Sequence, residues 1–142
     1  MKHINNRKAR YNYYIEERFH AGISLSGSEV KSLRGGHCNL NEAFCYFRNG
    51  ELFLKNATIV SFNNKMFSHD ETRDRKLLLT AKELHSIQKK VAIKGYSIVP
   101  LDIEIPDAGF IKVNIAVCKG KHNYDKRNAI KERDAKRDID VR

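Results

Sequence analysis

The strongest constraint on this chain lies in residues 98–117. Val99, Leu101, Ile103 and Ile105 alternate with Ile98, Pro100, Asp102 and Glu104. Pro106-Asp107-Ala108-Gly109 has the composition of a tight turn, and beyond it Ile111, Val113, Ile115 and Val117 alternate with Lys112, Asn114 and Ala116. Successive side chains on a strand point to opposite faces, so each segment carries one apolar face. Two such segments joined by a turn predict an antiparallel hairpin lying over a core. The rest of the fold has to supply the apolar surface that covers it.

Several segments qualify. Tyr11, Tyr13, Ile15 and Phe19 share a parity, which reads as a strand. Residues 41–48 alternate, with Ala43, Cys45 and Phe47 on one side and Phe44 and Tyr46 on the other. Asn49-Gly50 follows, a type I′ hairpin signal, and Glu51–Lys55 returns as the partner strand. Residues 57–62 read as a further short strand and 63–75 as a polar loop interrupted by Met66 and Phe67. Two capping boxes, Ser26-Gly27-Ser28-Glu29 and Thr80-Ala81-Lys82-Glu83, open helices. The first is stopped by Gly35-Gly36. The second lines Leu84, Ile87 and Val91 on one face, with Gly95 as its left-handed stop. The expected fold is mainly β with α: a small, closed, antiparallel β-barrel of oligonucleotide-binding type with two or three flanking helices. Residues 1–10 read as a basic N-terminal arm standing free of the body, 11–118 as the barrel domain and 119–142 as a basic tail.

Charge narrows the partners. The 142 residues hold 27 Lys and Arg against 17 Asp and Glu, a formal charge of +10. Such a surface captures polyanions, nucleic acid first among them. An anionic membrane surface asks for an amphipathic helix with a bulky apolar face, and the sequence offers none. No apolar run approaches the roughly 20 residues of a membrane helix, and residues 1–10 have no apolar stretch of a secretory signal. A cytoplasmic protein is expected.

Catalytic and metal signatures are sparse. Cys38, Cys45 and Cys118 form no CxxC pair, and Cys45 and Cys118 sit in alternating stretches as small buried hydrophobes. None of the six His belongs to an HExxH spacing, and His69-Asp70-Glu71 reads as a solvated loop. GxSxG, Walker and GxGxxG motifs are missing from the sequence. No enzyme, catalytic residue, metal or cofactor is expected. A metal-dependent nuclease is the enzymatic alternative, because the charge suits it.

The basic clusters carry more. Arg73-Asp74-Arg75-Lys76 leads into Leu77-Leu78-Leu79-Thr80, so anchoring the apolar run holds the cations at the barrel rim. Lys119-Gly120-Lys121 does the same at the end of the last strand, and Arg7, Lys8 and Arg10 stand beside Tyr11 and Tyr13. Cations interleaved with aromatics pair phosphates and stack on bases. From Lys119 onward the apolar stripe disappears: nine basic and five acidic residues surround Tyr124, Ile130, Ile139 and Val141. Such a segment is expected to be disordered alone, with helical tendency over 125–138.

With these motifs the chain resembles the SsrA-binding protein (SmpB) family of bacterial trans-translation. The resemblance runs over residues 6–136. It is carried by Asn6-Arg7-Lys8-Ala9-Arg10, Tyr13-Tyr14-Ile15-Glu16-Glu17, Ala21-Gly22-Ile23 and Gly27-Ser28-Glu29-Val30-Lys31-Ser32-Leu33-Arg34. Asp70-Glu71-Thr72-Arg73-Asp74-Arg75-Lys76-Leu77-Leu78-Leu79 and Lys119-Gly120-Lys121 with Asp125-Lys126-Arg127 complete it. His20 stands where the family often has Glu, and Thr80 where Asn often follows the leucines. The resemblance implies a non-enzymatic protein that binds the tRNA-like domain of transfer-messenger RNA and delivers it to stalled ribosomes. Elongation factor Tu with GTP takes part through the alanine-charged RNA, and a monomer is expected. The implied RNA-binding residues are Arg7, Lys8, Arg10, Tyr11, Tyr13, His20, Arg75, Lys76, Leu78, Thr80, Lys119 and Lys121. Tyr124, Asp125, Lys126, Arg127, Lys131, Arg133, Lys136 and Arg137 belong to a tail that enters the decoding centre and the mRNA channel of the ribosome and becomes helical there. A general binder of single-stranded or structured RNA is the alternative.

Overall fold

The computed structural model describes residues 1–61 and 69–121. In chain order the strands are β1 (Lys2–Asn5), β2 (Tyr13–Ile23), β3 (Cys38–Asn39), β4 (Phe44–Arg48), β5 (Glu51–Lys55), β6 (Thr58–Ile59), β7 (Arg75–Leu78), β8 (Tyr96–Ile105) and β9 (Lys112–Gly120). The helices are α1 (Ala9–Asn12), α2 (Gly27–Arg34) and α3 (Ala81–Val91).

The hairpin forms as its alternation requires: β8 and β9 pair antiparallel from Tyr96 opposite Lys119 to Glu104 opposite Lys112. β9 pairs with β2, β2 with β7, β7 with β5, β5 with β4, and Cys45 of β4 returns to Ile98 of β8. Six strands thus each find a partner on both sides, which leaves little unpaired edge. Their inward faces meet in one core containing Leu52, Leu54, Leu77, Ile103, Val113, Ile115 and Val117, with Leu33 of α2 and Ile87 of α3 packed in. Leu84 and Val91 join Ile87 along the helical face expected of α3. A two-stranded ladder of β3 and β6 stands apart from the main sheet.

Local chemistry sets the joints. The Ser26 hydroxyl accepts from the Glu29 N–H while the Glu29 carboxylate accepts from the Ser26 N–H; Thr80 and Glu83 repeat the arrangement at α3. Thr80→Ala removes the hydroxyl of the second cap and is expected to lower unfolding free energy by about 1 kcal/mol, read from urea denaturation. Asn49 and Gly50 both have positive φ, 53° and 78°, which a type I′ turn demands.

The structure departs from the sequence pattern in four places. Residues 2–5, expected to stand free as part of an arm, form β1 along the C-terminal half of β8, from Lys2 opposite Ile105 to Asn5 opposite Asp102. Ile4 packs against the core, and the Asn6 N–H donates to the Leu101 carbonyl, so apolar burial and backbone bonding hold this segment. Tyr11 lies in α1 rather than on a strand, because the Asn12 N–H closes a helical turn onto the Lys8 carbonyl at 2.9 Å. The strand expected over 57–62 contracts to Thr58–Ile59. In β8 a bulge between Pro100 and Asp102 inserts one residue and reverses the phase of the alternation. Ile98 therefore faces the main core on one side of the bulge, and Ile103 and Ile105 on the other. Val99 instead joins Ala9 and Cys118 in a small second cluster.

Candidate nucleic-acid interface

β2 positions most of the expected site. Tyr14, Arg18 and His20 are exposed along it, alternating with half-buried Tyr13, Ile15 and Phe19. At its start Tyr14 lies opposite Lys119 and Tyr13 opposite Gly120. The Lys121 N–H donates to the Asn12 carbonyl at 2.9 Å, and the Lys121 ammonium sits 4.9 Å from the centre of the Tyr14 ring. Half-buried Tyr11 lies in α1, and the exposed Lys8 precedes it, its carbonyl accepting from the Asn12 N–H at this end, whereas the exposed Arg7 lines a cleft with Arg18 and Asn114 farther along β2. The structure thus gathers two basic clusters far apart in sequence. The Lys8 ammonium reaches Glu42 at 3.5 Å, an exposed pair of little weight. The Arg10 backbone lies in α1. Burial, followed by the neighbouring Cys118 thiol, pushes the Tyr13 phenol upward.

The remaining expected residues gather toward the other end of β2, on the order of 30 Å away along an extended strand. Gly22 is opposite Leu78, whose side chain is 50% exposed. The close approach depends on the glycine, since a Cβ there would lie 3.2 Å from the Leu78 Cβ. Lys76 is half-buried and donates to Glu51 at 2.9 Å. Thr80 is exposed, with its hydroxyl engaged in the α3 cap. His20 is opposite Asn114, and its Nε2 lies 2.8 Å from a Glu104 carboxylate oxygen. Hydrogen bonds from Asn114, then from His20, hold the Glu104 carboxyl below its ordinary range.

Arg75 is a correction. Its side chain is 0% exposed, so it does not join an RNA face. Nε donates to Glu29, and the remaining guanidinium nitrogens donate to the carbonyls of Ala57, Arg73, Asp70 and Glu71. Arg73 also pairs with Glu29, which is itself fully buried. Burial works against the charged carboxylate, yet the bonds from Arg73, the Ser26 backbone and Arg75 outweigh it and bring Glu29 down to about 2. The basic run reads as surface in sequence because a guanidinium is rarely buried unless paired. Its partner lies 46 positions away.

Sequence reasoning missed Tyr14 as the partner of Lys121, and Arg18 beside His20; a bulge between Ile15 and Glu17 puts Tyr14 on the opposite face of β2 from Arg18 and His20, which simple alternation does not show. It also missed the cleft of about 460 Å³ where Arg7 and Arg18 meet Asn5, Asn6, Asp102 and Asn114. Cys45 and Cys118 are buried free thiols, as their stretches imply. The tail residues Tyr124, Asp125, Lys126, Arg127, Lys131, Arg133, Lys136 and Arg137, and loop positions 62–68, lie outside the described residues. Among the described residues no helix is long and apolar enough to cross a membrane.

An antiparallel sheet bearing tyrosines and cations on adjoining strand ends defines a β protein with a cationic, aromatic-lined face. The chain belongs to the SmpB protein family, whose model matches residues 3–142. It is 50% identical over 134 residues to the SsrA-binding protein of Acholeplasma laidlawii, covering 94% of this chain and 89% of that one. To the SsrA-binding protein of Flavobacterium johnsoniae it is 47% identical over 144 residues, covering 99% and 95%. A solved structure described as "tmRNA-SmpB: a journey to the center of the bacterial ribosome" superimposes with a TM-score of 0.71 at 39% identity, covering 90% of this chain and 94% of that one. The family expected from the motifs is the family found.

Proposed function

We propose that the chain binds the tRNA-like domain of transfer-messenger RNA and carries it to stalled ribosomes for trans-translation. The observation that supports this most is the meeting of Tyr14 with Lys119 and Lys121 where β2 and β9 pair, with Lys8 and Tyr11 joined to that end through α1 and the Asn12–Lys121 bond. It accompanies membership of a family whose relatives are named for binding SsrA. Phosphates pair with the cations, and the tyrosines offer stacking surfaces to unpaired bases.

The cyclic strand pairing fits a closed barrel of oligonucleotide-binding type. On this reading the protein is a cytoplasmic, monomeric, non-enzymatic adaptor, and elongation factor Tu with GTP meets it through the charged RNA. His20, Lys76, Leu78 and Thr80 form the second part of the RNA face, and residues 119–142 the ribosome-directed tail.

The test is titration of labelled tRNA-like domain at several salt concentrations. Lys119→Glu with Lys121→Glu is expected to weaken binding at least tenfold and to flatten the log–log salt dependence by about 1 for each phosphate no longer paired with a cation. Equal affinity for an unrelated hairpin of the same length, with an unchanged salt slope in the variant, defeats the proposal. Intact RNA is expected after incubation with magnesium.

A further inference from the structure

We propose that His3, Asp102 and Glu104, closed by His20, form a binding site for a divalent transition ion of the zinc class. The set is assembled by four adjacent strands. β1 pairs with β8, β8 with β9 and β9 with β2. In that register His3 is opposite Glu104, while Asn114 is opposite both Asp102 and His20. Asp102 and Glu104 are two residues apart beyond the β8 bulge, so they share a face.

Asn114 organises the donors. Its amide donates to one oxygen of Asp102 at 2.8 Å and to one oxygen of Glu104 at 3.0 Å. Each carboxylate keeps its second oxygen for a histidine: Asp102 Oδ2 lies 2.8 Å from His3 Nδ1, and Glu104 Oε2 lies 2.8 Å from His20 Nε2. The ligand atoms of His3, Asp102 and Glu104 all fall within 4.8 Å of one another. For these three, bonds of about 2.0–2.2 Å to a central ion need only small side-chain rotations, while His20, which reaches the set through Glu104, has to swing further to close it. The carboxylate side chains are 18% and 24% exposed and the imidazoles 43% and 54%, so an ion reaches the set from solvent.

The donors select the ion. Two imidazole nitrogens with two carboxylate oxygens suit zinc, nickel or copper, whereas magnesium and calcium favour oxygen alone. Ligation requires the nitrogen lone pair, so the proton each histidine shares with its carboxylate moves to the other ring nitrogen or leaves to solvent. Two negative charges favour the ion, while Lys112, opposite Glu104 in register, and Arg7 and Arg18, which line the adjoining cleft with Asp102, oppose it. No spacing motif shows this set, because its four members come from three strands and His3 stands 99 positions before Asp102 and further still before Glu104.

The full chain is titrated with zinc chloride at neutral pH, followed by equilibrium dialysis and by amide and imidazole NMR. One zinc per chain is expected, with shifts centred on His3, His20, Asp102, Glu104 and Asn114. His3→Gln and, separately, Glu104→Gln are expected to weaken binding roughly 10- to 100-fold, with a native amide spectrum, and His85→Gln to leave it unchanged. Absence of zinc binding at millimolar concentration overturns the site and leaves two cross-strand ion pairs. Shifts centred on Cys38 or the other histidines, or less than twofold loss in both variants, overturn it equally.

Discussion

Glu29→Ala is expected to lower the free energy of unfolding by about 3–5 kcal/mol, because it strands the buried Arg75 guanidinium without its carboxylate. Arg75 retains carbonyl acceptors from Ala57, Arg73, Asp70 and Glu71, but carbonyl dipoles do not neutralise a full charge out of water. Arg73 is 36% exposed at its side chain and turns toward solvent when Glu29 is lost, so Arg75 carries the penalty. Arg75→Met leaves the carboxylate paired with Arg73 and the Ser26 N–H and is expected to cost less than Glu29→Ala. Glu29→Leu with Arg75→Met removes both charges and is expected to destabilise by less than the sum of the single changes. Urea denaturation decides it: a Glu29→Ala loss under 1 kcal/mol, or strict additivity, shows that the pair is incidental.

The same network sets the acid limb of stability. Glu29 titrates at about 2 in the folded chain, below the 4.5 of an unperturbed carboxyl. A lowered folded value means that the contribution is present above pH 4.5 and is lost as pH falls from there toward 2. The amount at stake is about 3 kcal/mol. Glu29→Gln is expected to unfold less steeply with acid across that window.

Arg75 also shows where a linear reading stops. Strand existence was legible wherever the apolar period was 2: the 98–117 hairpin, the Asn49-Gly50 turn and both capping boxes appear at their expected places. Those signals are local, and local sequence contains them. What was illegible depends on distant partners. Arg73-Asp74-Arg75-Lys76 has four charged members and one environment in sequence, yet Arg75 is buried while Lys76 keeps 43% of its side chain exposed. Glu29 decides between them from the first turn of α2. β1 was hidden for a related reason. Residues 2–5 have little apolar content beyond Ile4, and only the open edge of β8 gives their backbone groups partners. In the candidate site, Lys119, Lys121 and residues 7–14 were legible as clusters but not as neighbours. The β2–β9 register brings them together.

Deleting residues 129–142 is expected to leave affinity for the tRNA-like domain within about twofold and to abolish tagging of stalled chains. The first half follows from where the proposed RNA face lies: its cations and tyrosines lie on or directly beside α1, β2, β7 and β9, all within residues 7–121. The second half follows from the sequence of the tail. Lys131, Arg133, Lys136 and Arg137 crowd positive charge with Ile130, Ile139 and Val141 as the only larger apolar residues of 129–142. On sequence grounds so few anchors are expected to bury too little surface to offset the ordering of such a segment. A polyanionic channel changes that balance, because it neutralises the cations that repel one another along a helix. In a helix formed there, Glu132 would stand i, i+4 to Lys136 and Asp138 i, i+4 to Arg142, offsetting part of that repulsion. A tail of this kind contributes where ribosomal RNA surrounds it and contributes little to binding a separate RNA on the body. The assay pairs RNA titration with tagging on ribosomes stalled at the end of a message. Tagging at the parental level by the truncated chain removes the tail from the mechanism, and a tenfold loss of RNA affinity makes it part of the RNA face instead.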